Sequence, residues 1–474
     1  MSGRKSRSSA LLSWNGCLWP PSGLDKPMTK LVKEIRGILL RKEGQGTLKA
    51  YMVRGTVGTF ALKVVNTVLA FGTSLLLARL LGAEEYGVYA YAISWASLLS
   101  VPAVMGLNTL LVREVAKYKA LEDWGSLRGI LRWSDRVVLL TSIGIAAVFS
   151  LIVWFLRGKF SPEVRTALWI AMGLVPLLSF LLLRQGGLQG LGYVVEAQVP
   201  QLFLLPATFL VLTVGVYFAF GLSGALAVGL RLIAGLVAVI AALLLLRKYL
   251  PEPVTDVPSL YHRRGWVRST FPFLLIGAAG IINQRIPVII SGHILEVESA
   301  GVLNIAIGVA AFVDFLALAI YMPLTPTVSH LITVNDKERL QTLITKSARL
   351  AATGSLLTMV SLIALARPIV FLFGAAFATA KVPLIILSSG YCFSNMLGFP
   401  MTVLSMSGHE AVGAKAVLIM AFVNFVLAMG LVPLWGLEGG SVAIVASWVT
   451  MKLLLAYWAR KKTGIDSTII GWRE

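Results

Sequence analysis

Apolar runs of about twenty residues recur along almost the whole chain, beginning near residue 57. A helix of that length spans a hydrocarbon core of ~30 Å. Composition agrees, because 57% of the 474 residues are hydrophobic and only 14% are charged, whereas soluble domains carry about a quarter charged residues. The alternation typical of a β-barrel does not occur. The sequence therefore predicts an all-α polytopic membrane protein.

The hydropathy pattern predicts twelve membrane-spanning helices. They cover approximately residues 57–80, 87–111, 136–156, 166–187, 197–219, 222–246, 271–292, 300–323, 350–372, 382–406, 413–434 and 437–459.

The distribution of charge predicts the orientation of these helices. The net charge is +20, and 32 of the 42 Lys and Arg residues lie in the termini and in alternate loops on one side, against five in the loops on the other. Cytoplasmic loops of membrane proteins carry this excess, so both termini are predicted to be cytoplasmic. The same distribution explains the basic net charge without a nucleic-acid partner.

The chain also contains an internal repeat. Residues 81–93 (LGAEEYGVYAYAI) and 295–307 (LEVESAGVLNIAI) match at six of thirteen positions, and residues 220–224 echo 435–439 at nearly the same offset. Six spans per copy give both copies the same topology, the parallel-repeat plan of many transporters. The predicted parts are a basic cytoplasmic tail (1–54), a six-helix bundle (55–246), a cytoplasmic linker (247–269), a second six-helix bundle (270–460) and a C-terminal tail (461–474).

Two short motifs carry a family resemblance. Leu76-Leu77-Ala78-Arg79-Leu80-Leu81-Gly82 followed by Glu85-Tyr86-Gly87-Val88-Tyr89, together with Gly187-Leu188-Gln189-Gly190-Leu191-Gly192, resembles the polysaccharide-biosynthesis (O-antigen, Wzx-type) flippases. These belong to the multidrug/oligosaccharidyl-lipid/polysaccharide exporter superfamily. The resemblance implies a MATE-like fold and alternating access.

Polar residues inside the predicted spans are candidate cavity residues, because ionisable groups at bilayer depth usually face a cavity or a partner. Lys63, Asn66 and Ser74 lie on one face of the first span. Lys63 is close enough to the cytoplasmic end to snorkel instead. Arg231 lies near the middle of the sixth span.

The seventh span carries Asn283, Gln284 and Arg285 near its middle, and the eighth carries Asp314. Two interpretations remain open for these charges. Arg285 and Asp314 form a neutralising pair, or Arg285 is free for an anionic ligand and Asp314 is a protonatable group for coupling to H⁺ or Na⁺. The deep cations outnumber the deep carboxylates, which favours an anion, and guanidinium groups suit a diphosphate.

The favoured function is a non-enzymatic one. We expect a flippase that moves a polyprenyl-diphosphate-linked oligosaccharide from the cytoplasmic to the outer leaflet of the cell (inner) membrane, for cell-surface polysaccharide synthesis. Its partners would be this lipid, membrane lipids and polysaccharide-assembly proteins, with no cofactor or metal beyond a coupling ion. The alternatives are an ion-coupled drug or cation antiporter of the same superfamily and a polytopic glycosyltransferase or ligase. The sequence shows no Asp-x-Asp and no nucleophile–base cluster for the enzyme.

Overall fold

The computed structural model of the protein describes residues 48–471. The first 47 residues of the predicted basic tail lie outside the described residues. By its contacts the chain divides at residue 57, and the unit of residues 58–474 contains all the described helices apart from the start of the first.

The described chain is almost entirely helical. Its helices are α1 (Leu48–Val104), α2 (Leu107–Ala120), α3 (Trp124–Phe155), α4 (Pro162–Met172), α5 (Leu174–Gly190), α6 (Leu205–Phe220), α7 (Gly224–Tyr249), α8 (Pro253–Asp256), α9 (Arg263–Ile294), α10 (Val297–Ala310), α11 (Phe315–Thr333), α12 (Lys337–Ala364), α13 (Ala366–Phe373), α14 (Lys381–Met396), α15 (Pro400–Met406) and α16 (Glu410–Thr463). A π-helical turn, Pro200–Leu204, precedes α6, and 3₁₀ turns at Ala311–Asp314 and Ala375–Ala380 precede α11 and α14.

Nine segments within residues 48–471 are long and apolar enough to cross a membrane. Two of these are too long for one crossing: at 1.5 Å per residue, a straight α1 of 57 residues would be about 85 Å long. Both are hairpins, since each contains a glycine with non-helical backbone angles, Gly82 and Gly436. The 32 residues of α9 also suffice for a crossing. The all-helical membrane fold is confirmed, and the exact number of twelve spans stays a prediction.

Contacts across each hairpin show the chain reversal. The hydroxyls of Ser74 and Tyr86 share a hydrogen bond of 2.7 Å although twelve residues separate them. In the last helix, Gly439 packs directly on the carbonyl of Leu431. Gly82 has φ 74°, a backbone conformation that costs glycine little.

The backbone repeats itself just before α3 and α12, at one position where the residues differ and one where both are Asp. Glu122 and Asn335 both adopt positive φ, 54° and 55°, just before the starts of α3 and α12. The next residues, Asp123 and Asp336, cap these two helices by accepting hydrogen bonds from the backbone N–H three residues on, at 3.0 and 3.1 Å. The hydrogen bonds from Ser126 lower the pKa of Asp123, so this cap is charged at neutral pH. The spacing of 213 residues in each pair is within one residue of the 214 that separates residues 81–93 from 295–307.

The two ends of the helices differ in charge. We call the end with residues 113–136, 247–268 and 337–349 the basic end, and the end with the turns near residues 82, 158, 222, 296, 375 and 436 the far end. At the basic end the linker packs on α3, where Gly129 lies against the carbonyl of Leu260. Residues 464–471 also pack on the protein there, with the backbone of Asp466 hydrogen-bonded to Gln341 at 2.7 and 2.8 Å.

Large apolar side chains cover the outward surface between the ends. Leu140, Val211 and Phe422, in the middle of their helices, are 73%, 71% and 70% exposed. An aqueous surface would not carry so many of these, because apolar side chains gain free energy when they leave water. The surface is the one that contacts lipid.

Candidate functional site

A cavity of about 540 Å³ lies between the two halves of the repeat. The N-terminal half contributes residues from both arms of α1, Leu178 of α5, the first residues of α6, and Arg231 of α7. The C-terminal half contributes α9, α10, the 3₁₀ turn before α11 and the last residue of α13. Its volume falls within the range of 300–1,000 Å³ typical of small-ligand sites. It can enclose a head group of limited size, not a long polymer.

Arg285 enters the cavity from α9 at the end of a chain of hydrogen bonds. Its Nη1 donates to Asn304 Oδ1 at 2.9 Å, and Asn304 Nδ2 donates to the hydroxyl of Tyr86 at 3.1 Å. Tyr86 in turn bonds Ser74. This chain crosses from one half to the other, so the position of Arg285 is coupled to the first hairpin.

Arg231 enters from α7 on the opposite wall. Its Nη1 donates to the hydroxyl of Tyr89 at 2.8 Å, and its guanidinium lies 5.5 Å from the ring centroid of Phe209. The Phe209 ring stacks on Tyr89 in turn. The planar guanidinium is thus oriented by a ring face and one neutral acceptor.

Asn66 lines the cavity where the sixth helix begins irregularly. Pro206 has no backbone N–H, so the carbonyl of Leu202, four residues earlier, lacks its usual helical donor. Asn66 Nδ2 donates to that carbonyl at 2.9 Å. The preceding π-helical turn, Pro200–Leu204, is a feature often found at functional sites.

Two of the sequence candidates do not line the cavity. Lys63 is half-buried on α1, outside the cavity lining. Asn283 is 2% exposed and faces the core of the C-terminal half, where its Oδ1 accepts hydrogen bonds from Asn424 at 3.0 Å and Ser447 at 2.6 Å. Asn283 and Arg285 are two residues apart, about 200° around a helix, so only one of them can face the cavity. Gln284 lines it with Arg285.

Asp314 also lies outside the cavity lining. Its Oδ1 accepts a hydrogen bond of 2.9 Å from Asn395, whose amide also donates to Ser355 at 2.8 Å. Among the described residues no ion pair joins Asp314 to Arg285, which uses Asn304 instead. The cavity lining contains two guanidinium groups and no carboxylate among the described residues. The formal charge of the described lining is therefore positive.

Aromatic side chains close the cavity toward the far end. Phe71 meets Phe312 and Phe373 edge to face, with ring centroids 5.6 and 5.7 Å away. Phe377 packs on Tyr86 at 5.8 Å. We call residues 366–380, which carry Phe373 and Phe377, the lid segment.

Backbone contacts between the halves reinforce this closure. Gly87 and Gly301, equivalent positions of the repeat, are in direct contact, and a Cβ on Gly301 would lie 3.0 Å from Gly87 Cα. Arg79 donates hydrogen bonds to the carbonyls of Phe371 and Leu372 at 2.9 and 2.5 Å. Both carbonyls belong to the last turn of α13, and that of Phe371 also accepts a hydrogen bond of 3.1 Å from the backbone N–H of Gly374. Arg79 thus fastens the lid segment to the N-terminal half.

Sequence reasoning missed Tyr86, Tyr89 and Asn304 as cavity residues. The two tyrosines stand in the motif that carries the family resemblance, and they were not among the candidate cavity residues. A signal was present, because neither tyrosine is shared by the second copy of the repeat, where Ala300 and Leu303 stand. Residues that one copy alone carries are the better candidates for chemistry.

The profile of the family described as "Polysaccharide biosynthesis protein" matches residues 52–332, more than half of the chain. The chain belongs to this family. No curated protein matches the sequence.

Solved structures share the fold over most of their length. An inward-facing multidrug resistance MATE family transporter of the MOP superfamily aligns with TM-score 0.69 and 12% identity, covering 86% of this chain and 98% of its own. The lipid II flippase MurJ, in an inward closed conformation, aligns with TM-score 0.64 and 15% identity, covering 86% and 87%. A MOP superfamily transporter from Pyrococcus furiosus, described as having reverse polarity of its binding pocket, aligns with TM-score 0.61 and 14% identity, covering 91% and 98%. The MATE-like fold expected from the resemblance is confirmed.

Proposed function

We propose that the protein is a flippase, which moves a polyprenyl-diphosphate-linked oligosaccharide from the cytoplasmic to the outer leaflet by alternating access. The observation that carries this proposal is the charge of the central cavity. Arg231 and Arg285 line it, and the described lining contains no carboxylate. The family, whose description is polysaccharide biosynthesis, supports a saccharide cargo.

The hydrogen bonding of the two arginines suits a diphosphate. A guanidinium has five N–H donors, and Arg231 and Arg285 each have one cavity partner, which is neutral. Neither charge is compensated by these partners, and the remaining donors are available to phosphate oxygens. Bidentate arginine–phosphate pairs are among the stronger hydrogen bonds in proteins.

The size of the cavity assigns the two parts of the cargo to different environments. The diphosphate and its first sugars would enter a cavity of about 540 Å³. The polyprenyl chain gains nothing from a polar cavity and would stay in the bilayer, beside the helices. Asn66, Ser74 and Gln284 supply polar groups for sugar hydroxyls on the same walls.

The structure corresponds to one state of the transport cycle, with the far end closed by the lid segment and by the contact of Gly87 with Gly301. The excess of Lys and Arg at the basic end supports a cytoplasmic location for that end and for both termini, and an outer-leaflet location for the far end. Opening the far end would break the bonds from Arg79 to Phe371 and Leu372.

A cation antiporter receives less support from this cavity, because an organic cation would meet two guanidinium groups. Asp314 stays the candidate for ion coupling, with its carboxylate held by Asn395 outside the cavity. Asp314 is not a lining residue itself, although Phe312 of the same 3₁₀ turn is.

Binding of a polyprenyl diphosphate to the protein in nanodiscs tests the proposal. Arg231→Gln and Arg285→Gln each remove one guanidinium, and we expect each to weaken binding about tenfold or more, since hydrogen bonds to charged groups contribute ~1.5–3 kcal/mol. Lys63→Gln is the matched control, because it removes a cation of the same helical bundle from outside the cavity lining. Unchanged affinity in both arginine variants would exclude the cavity as the diphosphate site.

A further inference from the structure

A second cavity, which we call the lid groove, lies on the lid segment at the far end. It has a volume of about 650 Å³ and is lined by Arg367, Pro368, Val370, Phe371, Gly374, Ala375, Ala378 and Lys381. It shares no lining residue with the central cavity, although Phe373, between its own Phe371 and Gly374, lines the latter. The lid segment therefore separates the two.

The floor of the lid groove is apolar and continues onto the lipid-facing surface. Phe371, within the groove, is 66% exposed, and the neighbouring Leu365 and Val382 are exposed as well. The positive φ of Gly374, 124°, turns the chain between α13 and the following 3₁₀ turn. That turn opens the groove between the two short helices.

Two cations stand on this apolar floor. Arg367 is exposed and Lys381 half-buried, and neither makes a hydrogen bond or ion pair with any residue in the described part of the chain. Arg79 differs, because its guanidinium is engaged by the carbonyls of the same lid segment. Both unpaired cations lie at the end of the protein where basic residues are scarce, so general cytoplasmic charge does not explain them.

We propose that the lid groove binds an anionic phospholipid of the outer leaflet, its phosphate between Arg367 and Lys381 and its chain on Val370, Phe371 and Ala378. An apolar floor beside two cations matches the two parts of such a lipid. A free phosphate ion would leave the floor empty. This binding does not depend on the cargo proposed above.

Binding of phosphatidylglycerol to the full-length protein in detergent micelles, titrated by native mass spectrometry with phosphatidylcholine as the reference lipid, tests the inference. Each Lys or Arg near an anionic head group contributes about 1 kcal/mol, so Arg367→Gln/Lys381→Gln is expected to weaken binding at least tenfold. The control Arg157→Gln/Lys159→Gln removes two cations from the far end of the N-terminal half and is expected to bind like wild type. Arg367→Lys/Lys381→Arg keeps both charges and is expected to retain binding.

A fourth variant distinguishes binding in a groove from binding to a charged surface. Ala378→Trp fills the apolar floor without changing charge, and we expect it to weaken binding at least threefold. Any of four results would overturn the proposal. These are equal losses in the two double glutamine variants, equal binding of phosphatidylcholine and phosphatidylglycerol, displacement of the lipid by millimolar inorganic phosphate, and unchanged binding in Ala378→Trp.

Discussion

The closed far end depends on a contact that only glycine permits. A Cβ placed on Gly87 would overlap the carbonyl oxygen of Val297 and lie 2.7 Å from the Cα of Glu298. Both are backbone atoms, which cannot move away as the end of a flexible side chain would. Gly87→Ala should therefore force α1 and α10 apart at the point where the two halves meet.

The size of the shift toward the far-end-open state follows from the fact that the clash occurs only in the closed state. Overpacking a close contact costs about 1–3 kcal/mol, and here the cost arises only when the far end is closed. The ratio of far-end-open to far-end-closed molecules should then rise about 5- to 150-fold. Gly301→Ala should give a smaller rise, because its Cβ would lie 3.0 Å from the nearest atoms, a contact that small shifts can relieve.

Thiol labelling can measure this ratio. Gly308 lines the central cavity and has open space around its Cβ position, so Gly308→Cys is a suitable reporter in a background without Cys17 and Cys392. A membrane-impermeant reagent added from the outer side should label it faster in Gly87→Ala than in wild type. Gly144→Ala, a helical glycine with nothing within 4 Å of the new Cβ, is the control.

If Gly87→Ala folds and inserts but its reporter cysteine is labelled only at the rate found in Gly144→Ala, the clash does not open the far end. If Gly301→Ala increases the labelling rate more than Gly87→Ala does, the backbone overlap at Gly87 is not the cause of opening.

The remaining predictions concern single polar groups. Asn66→Ala should lower stability by about 0.5–1.5 kcal/mol, the net contribution of one hydrogen bond, since the half-buried carbonyl of Leu202 loses its donor. Thermal unfolding in detergent measures this loss, and Asn66→Gln should restore stability only in part. Asp135→Asn should lower the unfolding temperature more than Asp336→Asn, because Asp135 pairs at 2.6 Å with Arg184, whose side chain is 8% exposed. A ranking in the opposite order would contradict this account of the pair. Asp314→Asn should abolish the response of transport to a pH or Na⁺ gradient while passive flipping persists, as measured in proteoliposomes; an undiminished response would exclude Asp314 as the coupling group.

The sequence predicted the fold well because lipid restricts the choices. Only helices and closed barrels satisfy their backbone in a bilayer, so length and hydropathy determined the class. The repeat was visible at the hairpin turns, where glycine and acidic residues are constrained. It was invisible at Glu122 and Asn335, whose matching positive φ involves different residues.

The candidate site was harder to predict because the local hydropathy pattern of a membrane helix does not show which of its polar residues face the cavity. Arg285 lines the cavity and Asn283 does not, yet both are polar residues at the same depth. Which of them faces the cavity depends on Asn424 and Ser447, more than 140 residues away in sequence. The roles of Arg285 and Asn283 in binding stay predictions.

Tyr86 was the cavity residue that the sequence pattern indicated least. Its hydroxyl bonds Ser74 and Asn304, which come from different halves. A contact of this kind arises from the packing of two bundles, and no periodicity within one helix records it. Lys63, on the same predicted face of α1 as Asn66 and Ser74, lies outside the cavity lining, and its role in binding stays a prediction.

The central claim is that the protein moves a lipid-linked saccharide head group through a cationic cavity. The most direct measurement uses proteoliposomes that carry a polyprenyl-diphosphate-linked oligosaccharide and an external, membrane-impermeant glycosidase. We expect the protein to expose the protected pool of head groups to the enzyme, and Arg231→Gln/Arg285→Gln to slow this exposure at least tenfold. The account would be contradicted if the inner-leaflet head groups stayed inaccessible to the glycosidase in vesicles where the same protein exchanges cationic dyes for H⁺ or Na⁺.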